Sequence, residues 1–379
     1  MQQVVFHKFT DTKVRYEFRL RNYPESTLCS FEKEIKKEID NLCKLRFREE
    51  ELDYLKTIPF LSDDYIDFLR MFQFKRDDIN TYNSYVTGRG KFFQLVIEGS
   101  WLNTILFETP VLAIISEVFS KRNSSDNLYP RLSDKIEILE NLDDHDIFNL
   151  VDFGTRRRYS FIWHDRMIQE FVRRVPHFFI GTSNVYLAKK HNIKPIGTMA
   201  HEYQEAMQAL VRLEDSQKYA LQCWADEYRG RLGIALSDTL GIDCFLNDFD
   251  LYFAKLFDGV RQDSGDPYLV ANKVINHYRK LGILPKTKTI VFSDGLTIEK
   301  ALLLNDSYSP LINCSFGVGT HLTNDTGFKA PQIVIKMTKC NDRPVAKISD
   351  SRGKQMCNDK NYLRYLASVF NITREDIYE

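Results

Sequence analysis

The sequence predicts an α/β fold built on parallel strands, either a barrel or a doubly wound sheet, preceded by a mixed α+β region. Three observations carry this. From about residue 148, six short apolar runs each end in a small or polar cluster and lead into a helical pattern or loop, the texture of repeated βα units. The first third mixes helical and strand periodicities instead. The 379 residues are 43% hydrophobic and 27% charged, which is globular composition, long enough for one large domain or two moderate ones.

In chain order, Phe31, Ile35, Ile39, Leu42 and Leu45 recur at spacings of four and three and share one helical face. Ser62 suits the N-cap of a second helix with Tyr65, Phe68, Leu69 and Phe72 on its apolar side. Phe93, Leu95 and Ile97 alternate with other residues after the turn Thr87-Gly88-Arg89-Gly90, as in a strand following a hairpin loop. The most apolar stretch, Trp101 to Phe119, is interrupted by Asn103, Glu108, Pro110 and Glu117, which argues against a membrane span. Residues 121–145 are the most polar and are expected at the surface. The six apolar runs follow, at Leu150–Thr155, Phe178–Asn184, Pro195–Thr198, Phe257–Arg261, Thr289–Gly295 and Asn313–Thr320. Polar residues gather at their C-terminal ends, where ligands bind in both candidate architectures. Two late strands, Gln332 to Met337 and Pro344 to Ile348, are expected to rejoin the first domain. That divides the chain into 1–110, completed by about 330–379, and a barrel at 111–330.

Charge and cysteine usage narrow the function. Lys+Arg and Asp+Glu both number 52, so no basic excess marks a nucleic-acid or membrane-surface binder. Seven scattered cysteines without a Cys-x-x-Cys pair read as reduced thiols of a cytoplasmic protein. The N-terminus lacks the layout of a signal peptide.

Four clusters could carry chemistry. Arg156-Arg157-Arg158 is a solvated charge run or, following Phe153-Gly154 at a strand end, a bidentate grip on phosphate or carboxylate. In Arg261-Gln262-Asp263-Ser264-Gly265-Asp266-Pro267, Asp266 and Pro267 read as a helix start. That leaves Arg261, Asp263 and Ser264 to hold an anion and, through Asp263, a hydroxyl or hydrated Mg²⁺. Ser293-Asp294-Gly295 and Phe316-Gly317-Val318-Gly319-Thr320 could cradle phosphate on backbone N–H groups, although neither the Rossmann nor the Walker A pattern is present. His201 lies after the strand at Pro195. It is structural or, at a sheet rim beside Glu202, a nucleophile or proton carrier.

Taken in order, Asp152-Phe153-Gly154-Thr155-Arg156-Arg157-Arg158, Gly181-Thr182-Ser183-Asn184, Gly197-Thr198-Met199-Ala200-His201-Glu202, Arg261 to Pro267 and Phe316 to Thr320 closely resemble the nicotinate phosphoribosyltransferase family. Glu108 to Ala113 and Pro344-Val345-Ala346-Lys347 extend the likeness along nearly the whole chain. The resemblance implies an irregular TIM-like α/β barrel with a second α+β domain built from both chain ends, in a homodimer with active sites at the interface. It implies joining of nicotinate to 5-phosphoribosyl 1-diphosphate, with ATP as co-substrate and Mg²⁺ as cofactor. Phe153 would stack on the pyridine ring. Arg156 and Arg261 would grip the phosphate, with the nicotinate carboxylate near Ser183 and these arginines, and Arg157 would also bind substrate. Asp263, with Ser264 and Gly265 beside it, would hold ribose hydroxyls and Mg²⁺. Asp294-Gly295 and Gly317, Gly319 and Thr320 would cradle the 5-phosphate, and ATP would phosphorylate His201.

In related nicotinamide enzymes the resemblance implies an aspartate where this chain has Ser183. A carboxylate there would repel nicotinate, so acid is expected over amide. The family also carries, upstream of the segment matching Met1-Gln2-Gln3-Val4, a short stretch whose tyrosine covers the pyridine ring across the dimer; for the chain as written, weak nicotinate binding is therefore expected. Competing readings are a nicotinamide or quinolinate phosphoribosyltransferase, and a non-catalytic nucleotide sensor.

Overall fold

The computed structural model describes residues 1–86, 90–122, 125–143, 147–351, 357, 359–373 and 377. Two sheets organise them. The first has strands β1 (Lys13–Leu20), β2 (Ile79–Val86), β3 (Gly90–Ser100), β11 (Ile333–Cys340) and β12 (Arg343–Pro344), in the order β12-β11-β1-β3-β2. All its ladders are antiparallel. Val14, Tyr16 and Phe18 of β1 point inward while Lys13 and Arg19 point out, so the register that buries one face is strongly specified. β1 pairs with β11 from Val14 against Cys340 to Leu20 against Ile333, joining the two ends of the chain. On β3, Phe93, Leu95 and Ile97 are buried as their alternation requires. The hairpin from β2 to β3 runs from Ile79 opposite Ile97 to Val86 opposite Gly90. Its predicted turn at Thr87-Gly88-Arg89 lies outside the described residues.

The flanking helices depart from the sequence reading in detail. The first, Glu32–Leu42, buries Ile35, Ile39 and Leu42. Phe31 belongs to the preceding 3₁₀ turn, and Leu45 lies beyond the helix end with 63% exposure. Ser62 does occupy the N-cap of Asp63–Met71, yet its side chain makes no capping bond, and Asp64 Oδ1 accepts from Tyr65 N at 2.8 Å instead. The stretch Trp101–Ser120 has the length and mean hydropathy (1.5) of a membrane span, but more than half of it is buried inside the fold. Its main helix, Glu108–Ser120, packs as a core element through Val111, Leu112, Ile115, Val118 and Phe119. The polar region 121–145 is not simply surface. Helix Leu128–Glu140 buries Leu128, Leu132, Ile136 and Leu139, and even Lys135 is buried, on Asp325 at 2.5 Å.

The second sheet is parallel throughout: β4 (Leu150–Asp152), β5 (Phe179–Thr182), β6 (Lys194–Pro195), β7 (Ile234–Leu236), β8 (Gly259–Gln262), β9 (Thr289–Phe292) and β10 (Asn313–Val318). The order β6-β5-β4-β10-β9-β8-β7 brings the first strand beside the last. The strands therefore follow one another around a curl, with one seam between β6 and β7 where no ladder forms among the described residues. It is a curled half-barrel of seven strands. Six are the predicted apolar runs; β7, three residues long, was not foreseen. Gly259 is required where β8 meets β9, since a Cβ there would lie 1.9 Å from Thr289 O.

The late strands differ from expectation. β11 runs on to Cys340, whereas the second is a two-residue bridge at Arg343–Pro344. Beyond it the chain leaves the sheet because side chains take over the ladder's role. Ala346 exchanges two hydrogen bonds with the Gln208 amide at 2.9 and 2.8 Å, and Ile348 N donates to Thr239 O at 2.8 Å.

Candidate active site

A cavity of about 810 Å³ opens at the C-terminal ends of the parallel strands. Its opposite wall comes from β11, through Val334 and Lys336, and from Lys347. The site is thus built between the two sheets.

The first corner rests on a fully buried knot. Asp152 at the end of β4 accepts from Gly154 N at 2.8 Å and from Thr182 Oγ1 at 2.6 Å, and meets His164 Nε2 at 2.6 Å. Burial alone would raise the Asp152 pKa, but the His164 imidazole and these donors hold it below the usual carboxylate range. Asp152 O also accepts from Ser183 N at 2.8 Å, so the knot places two candidate groups at once, Phe153 and Ser183. Phe153 lies directly against Gly317, where a Cβ would come within 2.4 Å of the ring. Ser183 is exposed at the cavity rim.

The second corner is Arg261 on β8. Its Nε donates to Ser293 Oγ (2.8 Å), Nη1 to Thr198 Oγ1 (2.8 Å) and Nη2 to Asp263 Oδ1 (2.6 Å), and its guanidinium lies 5.5 Å from the Phe153 ring centroid. These bonds use three of a guanidinium's five N–H groups, so the fork is aimed while donors remain for an anion. Burial pushes the Asp263 carboxyl up, but Arg261 above all overrides it and holds the group well below its ordinary range.

His201 opens helix His201–Leu210 and supplies the third corner. Its Nε2 lies 2.8 Å from Asp238 Oδ1, 2.6 Å from Lys347 Nζ and 3.8 Å from Asp263 Oδ2. Asp238 follows the unforeseen β7 and is buried. Its Oδ2 accepts from Lys347 Nζ at 2.6 Å and Ser264 Oγ at 2.5 Å. Burial, then the charge of Lys347, lowers the His201 pKa to about 4 against the opposing pull of Asp238, so the ring is neutral near pH 7. Asp238 itself is held well below its normal value by His201 and Lys347, overcoming its burial.

The basic triplet divides. Arg156 and Arg157 line the cavity, with Arg156 on Glu108 (2.8 Å) and Arg157 Nε donating to Ile333 O (3.1 Å). Burial first, then Arg156 and Arg21, bring the Arg157 pKa down to about 10. Arg158 turns away toward Glu117 at 3.6 Å. Asp294, Gly295, Gly317, Gly319 and Thr320 line the cavity at the ends of β9 and β10.

Two of the predicted substrate contacts, Ser264 and Gly265, are not among the residues that line the cavity. Ser264 is completely buried behind the cavity with its hydroxyl on Asp238, and Gly265, at φ +78°, donates its N–H to Ser351 Oγ at 3.0 Å. Neither lines the cavity, because the chain is already turning into the helix that Asp266 caps. The sequence reading assigned no role to Lys347 or Glu108, which line the cavity, or to Asp238, which meets His201 behind it; Glu202 it placed only beside His201. Glu202 is held far above the usual carboxylate range by burial, and next by Glu108.

The donor set bears on a divalent ion. His201, Asp238 and Asp263 offer ligand atoms within 4.8 Å of one another. Mg²⁺ prefers oxygen donors and commonly takes one or two carboxylates plus substrate phosphates. Asp263 at the cavity wall fits that requirement, whereas the imidazole does not.

The profile of the "Nicotinate phosphoribosyltransferase (NAPRTase) family" matches residues 148–374, and that of its N-terminal domain matches residues 1–116. The nicotinate phosphoribosyltransferase of Chromobacterium violaceum is 47% identical over 98% of this chain and 94% of its own. That of Xylella fastidiosa is 48% identical over 99% and 95%. Among solved structures, the Vibrio cholerae nicotinate phosphoribosyltransferase superposes with a TM-score of 0.94 at 38% identity, covering 99% of this chain and 92% of that one. The Porphyromonas gingivalis enzyme gives 0.91 at 29%, covering 98% and 96%.

Proposed function

This chain belongs to the nicotinate phosphoribosyltransferase family, and we propose that it joins nicotinate to 5-phosphoribosyl 1-diphosphate with ATP hydrolysis coupled through a transient phosphate on His201. The family's reaction belongs to pyridine nucleotide biosynthesis; the salvage of NAD precursors and the coupling are the finer reading. One observation carries it. A neutral imidazole, an arginine–carboxylate pair and an aromatic ring share one cavity, with His201 3.8 Å from Asp263 and Asp263 2.6 Å from Arg261.

The chemistry follows from charge. Departure of diphosphate from C1 of the ribose leaves positive charge on the sugar and negative charge on the leaving group. Asp263 suits the ribose hydroxyls and would hold Mg²⁺. When bound, that ion neutralises charge on the diphosphate. The free donors of Arg261, with Arg156 and Arg157, suit phosphate and carboxylate oxygens. Phe153, backed by Gly317, offers a flat face that would aim the pyridine nitrogen at C1. The backbone at Asp294-Gly295 and Gly317 to Thr320 suits the 5-phosphate.

With Nε2 of His201 engaged, Nδ1, which has no hydrogen bond among the described residues, is the nitrogen that would take phosphate from ATP. The neutral hydroxyl of Ser183 favours nicotinate over nicotinamide. Quinolinate, with two carboxylates, would need no phosphorylated histidine. Incubation with γ-labelled ATP is expected to give acid-labile label in the wild type and none in His201→Ala. An unlabelled wild type, or label that persists in the variant, overturns the coupling.

A further inference from the structure

Two opposite charges face the cavity without touching. Lys336 lies on β11 between the buried Ile335 and Met337 and opposite Glu17 of β1, so the ladder fixes where its side chain leaves the sheet. It lines the cavity, yet among the described residues its ammonium makes no hydrogen bond and no ion pair. Glu205 lines the same cavity, is 1% exposed, and leaves Oε2 without a hydrogen-bond partner. It stands four residues after His201 on helix His201–Leu210, which puts the two side chains on one face of that helix.

The groups nevertheless feel one another. Burial pushes the Lys336 ammonium below its ordinary value, while Glu205 and then Glu108 draw it back up. Burial pushes the Glu205 carboxyl up, against Lys336 and Lys347. The imidazole of His201 lies within electrostatic reach of the same ammonium. A cation withdrawn from water without a fixed partner loses hydration that no hydrogen bond returns. Lys347, on the same wall, is already spent on Asp238 Oδ2 at 2.6 Å. Lys336 keeps its N–H donors for a ligand, and a compact ammonium charge suits phosphate oxygens.

We propose that Lys336 binds the terminal phosphate of a nucleoside triphosphate, its ammonium taking an oxygen of the γ-phosphate beside His201. This rests on the reading of ATP as co-substrate. Glu205 does not oppose the anion in this arrangement. Its burial favours the protonated carboxyl, which meets a phosphate oxygen with an O–H in place of a like charge. Lys336 exchanges no proton and forms no covalent bond; it acts by charge and donors alone.

Equilibrium dialysis of the full chain against magnesium-bound ATP, magnesium-bound ADP and 5-phosphoribosyl 1-diphosphate tests this. Lys336→Met, which keeps the length but no donor, should weaken ATP binding at least about tenfold, and the other two ligands by less than about twofold. Lys336→Gln, which keeps an N–H without the charge, should fall between. Glu205→Gln, a neutral side chain of the same shape, should bind ATP within about twofold of the wild type. Equal losses for ATP and ADP in Lys336→Met overturn the assignment, as does a loss confined to 5-phosphoribosyl 1-diphosphate. An equal loss of ATP in Glu205→Gln does so too, since the two side chains would then form a purely structural pair. Should Lys336→Met not fold, Lys336→Gln carries the same comparison. A wild type that binds no ATP fails the co-substrate reading and takes this assignment with it. A wild type that binds ATP, beside a Lys336→Met that binds it equally well, fails this inference alone.

Discussion

In the function proposed above, substrate choice turns on Ser183. It is exposed at the rim, its backbone N–H is tied to Asp152 O, and its hydroxyl is free to donate to an oxygen of the substrate. A carboxylate at this position meets nicotinate's own carboxylate as a like charge within the cavity. Ser183→Asp is therefore expected to shift the ratio of kcat/KM for nicotinate over nicotinamide toward the amide by about a hundredfold, or ~2.7 kcal/mol. Steady-state kinetics on both substrates measures it, and an unchanged ratio refutes it. Several such residues were legible from the sequence because each stands at the end of an apolar run: Phe153, Ser183, Arg261, Asp263, Asp294. Asp238 and Lys347 were not. Asp238 lies two residues past a strand of only three residues, and Lys347 meets it from 109 positions away. A contact of that separation leaves no local periodicity to read.

The segment from Val345 to Ser351 works as an element although it has no regular structure. Its Asp350 carboxylate accepts from Ile242 N through both oxygens at 3.1 Å, and its Ser351 Oγ accepts from Gly265 N. Burial raises the Asp350 pKa to about 6, opposed by Ile242 N–H and reinforced by Asp238. The folded protein thus holds this proton more tightly than the unfolded chain, whose aspartates titrate near ~3.9. Between those two values the native state binds more protons, so Asp350 lowers stability as pH rises through that window. Asp350→Asn does not titrate. It should gain on the wild type by on the order of 2 kcal/mol between pH 4 and pH 7. Urea midpoints at the two pH values test this, and parallel pH curves would count against it. The sequence reading placed a strand here, from Pro344 to Ile348. What it could not carry is that Gln208 supplies the bonds a neighbouring strand would have made. The helix at Leu128–Glu140 was hidden for a related reason: its apolar stripe is narrow and lies within the most polar part of the chain.

At the scale of the whole molecule, the cavity exists only because two sheets face each other. The parallel half-barrel brings Phe153, Arg261 and His201, and the antiparallel sheet, with the segment that follows it, closes the far wall through Lys336 and Lys347. Damage remote from the cavity but within the antiparallel core should therefore be felt by both. Phe93 is buried on β3, with its ring 5.7 Å from that of Phe18. Phe93→Ala is expected to cost about 3–5 kcal/mol. Its unfolding should still be a single transition, with activity and far-UV circular dichroism lost together. Activity vanishing well before the dichroism would show that the two sheets stand independently. The parallel direction of the strands followed from repeated βα units, but neither their order nor the opening between β6 and β7 did, since β6 and β7 are too short to reveal which edges stay unpaired.

That opening has a chemical use. His201 follows one of its edges and Asp238 the other, and Gln204 Nε2 reaches Leu236 O across it at 2.9 Å. Where a continuous ladder would have spent peptide groups on holding the wall shut, side chains hold it. Such joints can change partner during a catalytic cycle without unzipping a strand. The seam between the two edge strands is therefore where the His201 ring is seated in the wall itself.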